Sequence, residues 1–360
     1  MQTWFQSAAR HSSANATSHL FQCSARRARS LAACACLIPK EAIMSLPRPA
    51  LDPELNAKLS AFPLGADLNA EILTQMRQYA VPAETYLEGR SVQRRDLSVR
   101  SIDGFDLPIS VFLPEMPALD ATCIYWLHGG GMVMGDRFAN LDIPLEWLER
   151  HGAVVVTIEY RLAPEVCGST LVEDCYQGLL WIAAHADELG INPERIIVAG
   201  PSAGGGLAAG VTLMARDLTG PAIAAQILIC PMLDHRNITK SSQQYAGDPG
   251  VWTREKNVFA WQSVLRGQSG NNVSSYVSPA LEPDLSGLPT TYIDAGSAEV
   301  FRDEDVDYAC RIWAVGGQAE LHVWAGGFHG FDAMFPDANL SAAARAARTD
   351  WLGRVLNACS

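Results

Sequence analysis

From Arg94 onward the chain alternates short apolar runs with longer stretches of mixed polarity. Residues 122–127 and 153–159 are nearly continuous apolar runs, Arg195-Ile196-Ile197-Val198-Ala199 is a third, and 223–229, 290–294 and 319–324 follow. Runs of this length bounded by turn residues read as strands, and strands apolar on both faces are the habit of parallel sheets covered by helices. Ahead of them two strands flank the Asp103-Gly104 turn, and residues 342–356 close the chain as a helix. The pattern predicts one mixed sheet in a single α/β domain.

Two stretches stand outside that alternation. Asp52-Pro53-Glu54 has the makings of a helix start, with Leu55, Leu59 and Phe62 on a stripe, and Leu68, Ile72, Leu73, Met76 and Tyr79 mark a second helix. Residues 235–267 form an insertion with Thr253 as its expected N-cap and Val258, Phe259, Trp261, Val264 and Leu265 as its apolar set.

Chemistry enters at the ends of the strands. Gly200-Pro201-Ser202-Ala203-Gly204 follows the Ile196-Ile197-Val198 strand and precedes a small-residue helix, which is the setting of a G-x-S-x-G nucleophile elbow. A serine hydroxyl is a poor nucleophile at neutral pH, so it must sit on a tight turn within reach of a base and oxyanion donors. The bland reading is a glycine turn that packs a helix on a sheet. His128-Gly129-Gly130-Gly131, directly after residues 122–127, weighs against it, because an H-G-G-G loop exposes backbone amides suited to an oxyanion. Two such devices, each at a strand end, favour the catalytic reading.

With these motifs the chain resembles the hormone-sensitive-lipase-like branch of the α/β-hydrolases, a family of small carboxylesterases and related lipolytic enzymes. The Tyr160-Arg161-Leu162-Ala163-Pro164-Glu165 segment, Glu173-Asp174-Cys175, Ser278-Pro279, Leu288-Pro289 and Arg302-Asp303-Glu304 extend the likeness, which runs from about residue 51 to 356. The resemblance implies an α/β-hydrolase fold with an eight-stranded, mostly parallel sheet flanked by helices. It also implies a small helical cap, from residues about 50–80 and 235–267, lying over an acyl pocket.

The family's chain order of serine, acid and histidine places the base at His329, in Gly326-Gly327-Phe328-His329-Gly330. The family's acid stands four residues before the aspartate of the R-D-E run, a place that Glu299 holds here. Asp303 is the runner-up, better suited to the start of the following helix. Gly130, Gly131 and Ala203 amides would hold the oxyanion. His322 lies within a strand, and His128 is expected to order the glycine loop. Four features depart from the family pattern: Pro201 for Asp or Thr, Gly206 for Asn, Met132 for an aromatic residue, and residues 166–170 for a Pro-rich stretch. They bear on substrate preference more than on catalysis.

The implied activity is that of a serine carboxylesterase on short- to medium-chain acyl esters, with a deacetylase, lactone or amide hydrolase as the alternative, and with no metal or organic cofactor. Two other classes compete. Gly204-Gly205-Gly206-Leu207-Ala208-Ala209 satisfies G-x-G-x-x-A, a dinucleotide signature, but it overlaps the elbow and lacks the ribose-binding acid of a second strand. A non-catalytic receptor similar to the plant gibberellin receptors would lack the histidine that His329 supplies.

Charge narrows the partners. The chain carries 27 basic and 39 acidic residues, a formal net charge of −12, which disfavours nucleic acid and anionic membrane surfaces. Residues 1–43 differ from the rest: Arg10, Arg26, Arg27, Arg29 and Lys40 appear without any acidic residue before position 41, so this basic extension reads as a mitochondrial presequence or a disordered or untranslated segment ahead of Met44. Nine cysteines, with Cys123, Cys175 and Cys230 in core elements and Cys34-Ala35-Cys36 lacking zinc-site spacing, point to reduced thiols and a cytoplasmic enzyme. No run is long enough to span a membrane, and a homodimer stays open.

Overall fold

The apolar runs become strands of a single sheet. The computed structural model describes residues 46–65, 67–116, 118–268 and 272–358. Its strands are β1 (Val92–Arg100), β2 (Asp106–Pro114), β3 (Ala121–Trp126), β4 (Val154–Ile158), β5 (Ile191–Pro201), β6 (Ala225–Ile229), β7 (Thr290–Gly296) and β8 (Ala319–Trp324). They lie in the order β1-β2-β4-β3-β5-β6-β7-β8. β2 is antiparallel to both β1 and β4, and every other pairing is parallel.

Period-two alternation divides each central strand between two cores. Cys123 and Tyr125 of β3 and Ile196 and Val198 of β5 face one side, whereas Ile124, Trp126, Ile197 and Ala199 face the other. The first side is covered by α5 (Thr170–Ala184), α7 (Ala203–Asp217) and α10 (Arg302–Ala314), through Leu171, Leu179, Leu207, Val211 and Ile312. The second is covered by α4 (Asp142–His151) and α12 (Asn339–Ala358), through Trp147, Leu148, Trp351 and Leu352. Each such side chain removed from water contributes roughly 1.5–3 kcal/mol. The short helix α6 (Ala186–Leu189) links α5 to β5.

Of the remaining helices, α1 (Pro53–Leu59), α2 (Ala70–Met76), α3 (Ala83–Leu87), α8 (Lys240–Gln244) and α9 (Arg254–Leu265) sit in or beside the segments that stood outside the alternation, and α11 (Phe331–Met334) lies between β8 and α12. Asp52 caps α1 by accepting from the Glu54 and Leu55 amides, and Thr253 caps α9 by accepting from Lys256. Leu55 is fully buried with Phe328 and Phe331, and the Asp52 amide donates to the Gly326 carbonyl at 3.0 Å. α1 is therefore seated on the loop that carries His329. The second stripe is shorter than its spacing predicts, because α2 ends at Met76: Arg77 turns its side chain inward, and Tyr79 is left 83% exposed. The basic extension of residues 1–43, with Cys34 and Cys36, lies outside the described residues.

Candidate active site

Ser202 occupies the turn between β5 and α7 with φ of 56° and ψ of −121°. A non-glycine residue in that region stores of order 1–3 kcal/mol of strain and persists only where its surroundings enforce it. Here the Ser202 amide donates to the Ile229 carbonyl at 2.7 Å, and its carbonyl accepts from Met232 at 2.9 Å. The flanking glycines are sterically required, since a Cβ on Gly200 or Gly204 would collide with the Leu127 carbonyl. Gly205 is equally confined by Gly200 and Pro231, and Gly206 by the Met232 carbonyl. The glycine run thus serves close packing of helix on strand, with no space for a dinucleotide pyrophosphate.

His329 and Glu299 reach this turn from two other strand ends. His329 lies beyond β8, and its Nε2 is 2.9 Å from Ser202 Oγ. Its Nδ1 is 2.6 Å from Glu299 Oε2, and the other Glu299 oxygen accepts from the Gly296 amide at 2.6 Å. All three residues are buried, Ser202 at 8%, His329 at 7% and Glu299 at 1% exposure. Phe301 meets the imidazole edge-on at 5.1 Å, and Trp252 lies tilted at 6.2 Å. Asp303 is turned elsewhere. Its carboxylate accepts from the Ser241 amide at 2.7 Å and pairs with Arg302, so it fastens α8 to α10 instead of capping its own helix.

The glycine loop runs beside the elbow, close enough that a Cβ on Gly129 would stand 3.5 Å from Ser202 Cβ. Gly130, at φ of 108°, lines a cavity of about 220 Å³ together with Ser202, His329, Met134, Ile143 and Trp252. Gly131 is packed against Trp252, where a Cβ would overlap the indole. Ala203 opens α7, whose first amides have no partner within the helix. Met132 points into the core near Gly206, so its departure from an aromatic residue does not shape this cavity.

The loop is braced by the segment that follows β4. Tyr160 donates to the His128 carbonyl at 2.8 Å and stacks on the His128 ring at 4.2 Å. Burial pushes His128 down to about 4, against the pull of its 2.7 Å hydrogen bond to the Gly129 carbonyl. A ring neutral at pH 7 can donate that bond and order the loop. Arg161 holds the buried Asp174 with two guanidinium nitrogens, at 2.8 and 2.7 Å. His322 stacks on Tyr292 and Trp324 out on β8 and takes no part in the cluster.

Several contributing residues carry no motif. Trp252, Ile143, Asn140 and Val251 of the cavity wall are ordinary apolar or polar letters in the chain. Behind Glu299, the buried Arg348 of α12 pairs with Asp294 at 2.8 Å and with Asp332 at 2.7 Å. Asp305, fully buried, has both oxygens without a protein hydrogen-bond partner, and burial followed by the charges of Glu299 and Glu304 pushes it well above the carboxylate range.

A family model described as the alpha/beta hydrolase fold matches residues 124–333. The chain belongs to the α/β-hydrolase family. Among its relatives is "Carboxylesterase NlhH" of Mycobacterium tuberculosis, 30% identical over 279 residues, which cover 76% of this chain and 86% of the relative. "Esterase LipI" of the same organism is 31% identical over 282 residues, with the same two coverages of 76% and 86%. Among solved structures, the "Bacterial Heroin Esterase" superposes on this α/β-hydrolase with a TM-score of 0.76 at 35% identity, covering 85% of this chain and 98% of that one. Esterase LipW from Mycobacterium marinum gives a TM-score of 0.78 at 30% identity, covering 86% and 98%. Among the described residues of this α/β-hydrolase, no helix is long and apolar enough to cross a membrane.

Proposed function

We propose that this protein is a serine carboxylesterase hydrolysing short- to medium-chain acyl esters through an acyl-enzyme, with Ser202, His329 and Glu299 as its catalytic triad. The observation that carries the reading is the unbroken hydrogen-bonded line from Ser202 Oγ through the imidazole to Glu299, at 2.9 and 2.6 Å, on a strained elbow beside the glycine loop. The esterase names of relatives at 30–35% identity support the same substrate class.

In this mechanism Ser202 Oγ attacks the acyl carbon while its proton passes to His329 Nε2. Nδ1–H donates to Glu299, which keeps the tautomer and stabilises the imidazolium; the Gly296 amide holds Glu299 in register. The carbonyl oxygen, now an oxyanion, is received by the Gly130, Gly131 and Ala203 amides. Collapse of the tetrahedral intermediate breaks the ester C–O bond, and the alcohol leaves with the proton from Nε2. Water, deprotonated by the same nitrogen, then releases the acid and restores Ser202.

The cavity of about 220 Å³ beside Ser202 fits a modest acyl group. Past Met76, Met134 and Asn140 it adjoins a second space of about 370 Å³ lined by Tyr79, Tyr86 and Asp136, room for the rest of the ester. Met76 of α2 and Val251 and Trp252 ahead of α9 line the first cavity, so these segments act as a lid that excludes water. Among the described residues Cys123, Cys167, Cys175, Cys230 and Cys310 are free thiols, in keeping with a cytoplasmic setting. The test is hydrolysis of p-nitrophenyl acetate, butyrate and octanoate together with covalent labelling by a fluorophosphonate. Turnover of the shorter esters and a label mapped to Ser202 are expected; an unlabelled, inactive wild-type protein overturns the proposal.

A further inference from the structure

Cys230 lies one residue beyond β6 and has no part in the mechanism above. It adopts φ of 37°, an uncommon value for a side-chain-bearing residue, and its amide donates to the Asp294 carbonyl at 2.6 Å. That turn delivers the thiol to the triad. One Cys230 Sγ, one carboxylate oxygen of Glu299 and one imidazole nitrogen of His329 lie within 4.8 Å of one another, all from buried residues. Thiolate, imidazole and carboxylate make up the donor set that zinc prefers among the biological divalent cations. With Zn–S about 2.3 Å and Zn–N or Zn–O about 2.0–2.2 Å, tetrahedral ligand atoms stand about 3.3–3.8 Å apart. Measured against that 4.8 Å bound, a donor pair needs to close by at most about 1.5 Å, while the 2.6 Å contact of His329 Nδ1 with Glu299 would open by about 0.7 Å if both atoms bind.

Charge points the same way and does so independently. Cys230, Glu299, Asp294 and Asp332 line one small space beside the triad. Arg348 pairs with Asp294 and Asp332, and the two oxygens of Glu299 meet the imidazole and the Gly296 amide. Three carboxylates and one guanidinium line that space, a charge balance that favours a dication. Cys230 lines the same cavity as Ser202 and His329, which provides the entry path.

We propose that Cys230, Glu299 and His329 form an inhibitory site for a borderline or soft divalent cation, of which Zn²⁺ and Cd²⁺ are the types. Binding releases the thiol proton to solvent and takes the lone pair of one imidazole nitrogen. If that nitrogen is Nδ1, the ring's proton moves to Nε2, which can then no longer accept from Ser202; if it is Nε2, the cation displaces the serine hydrogen bond outright. Hydrolysis stops in either case, and chelation restores it. The site so described rests on the triad reading of the preceding subsection.

The test uses the full-length protein and its Cys230→Ser and Cys230→Ala variants, titrated with ZnCl₂ or CdCl₂ alone. Each rate is expressed against that protein's own metal-free rate. Half-inhibition by Zn²⁺ is expected to need at least about tenfold more metal in the variants, the scale on which zinc sites respond to losing a supporting group. EDTA should reverse the wild-type inhibition. In parallel, Cd²⁺ should raise a thiolate-to-metal ultraviolet band that is larger by one thiolate in the wild type than in either variant. Equal inhibition of all three proteins, or identical cadmium difference spectra, overturns the proposal. If the wild type hydrolyses no ester at all, the proposed activity has failed, and the cadmium spectra still decide the site.

Discussion

Arg77 Nε lies 2.7 Å from the Val133 carbonyl, so the residue that ends α2 is bonded directly to the backbone of the glycine loop. The same guanidinium reaches the Ala163 carbonyl at 2.7 Å and pairs with Glu165 at 2.7 Å. One side chain from the proposed lid thereby ties together that segment, the glycine loop and the segment that braces it.

Arg77→Ala should lower kcat by about tenfold or more, since hydrogen bonds from a charged donor contribute about 1.5–3 kcal/mol each in partly buried settings. Arg77→Lys should recover part of the loss by restoring the charge without the fork. Steady-state kinetics with p-nitrophenyl butyrate, read beside the melting temperature, check this. An unchanged kcat with a lowered melting temperature would show that the loop keeps its position without Arg77.

Ser202→Ala and His329→Ala should each reduce esterase activity by about 10³-fold or more while leaving the circular dichroism spectrum intact, because triad members act as a unit. Wild-type rates in purified Ser202→Ala protein would remove the nucleophile assignment.

Glu299→Gln should be far more damaging than Asp303→Asn. The first leaves His329 without its anionic partner and free to take the wrong tautomer, which costs up to about 10⁴-fold in kcat in enzymes of this type. The second loosens the Ser241 contact between α8 and α10. The opposite ranking of the two rates would shift the acid to Asp303.

Removal of residues 1–43 should leave an active enzyme, because every group in the site belongs to the chain after that segment. Removal through Tyr79 should yield aggregation or an altered acyl-chain preference, since it strips Leu55 from Phe328 and Phe331 and Met76 from the cavity wall. Acetate, butyrate and octanoate esters measured on both truncations distinguish the cases; unchanged kinetics in the longer deletion would exclude a lid role for α1 and α2.

Asp305→Asn should stabilise the fold, and more so at high pH. Burial and the neighbouring charges of Glu299 and Glu304 raise this carboxyl, so the unfolded chain ionises it at lower pH than the native state does. Such a group costs stability as pH climbs from the ordinary carboxyl range, about 4, toward its raised native value. Thermal melts at about pH 5 and about pH 8 should show a melting temperature gain that is larger at the higher pH. A gain that shrinks with rising pH contradicts the sign.

The strand pattern was legible because β3, β4, β6 and the latter half of β5 are largely apolar and buried on both faces, a signal that short polar elements cannot mimic. Ser202 and the glycine loop were legible for a related reason: backbone crowding against the Leu127 carbonyl and Met134 restricts those positions to glycine, and such letters stand out in a sequence. The end of α2 was not legible, since the apolar spacing of Met76 and Tyr79 continues past the residue whose side chain turns inward. Nor was the Asp294–Arg348–Asp332 cluster. Its members are 38 and 16 residues apart along the chain and meet only through the packing of α12 on the sheet.

The position of Arg348 also sets a schedule. It stands on the last helix, yet it clamps the end of β7 that leads to Glu299 and the turn that follows His329. During synthesis Ser202 emerges long before that helix, so a nascent chain can complete its elbow and most of its sheet while Glu299 and His329 still lack their anchor. Activity should thus be among the last properties acquired on the ribosome, and its appearance would time the docking of α12.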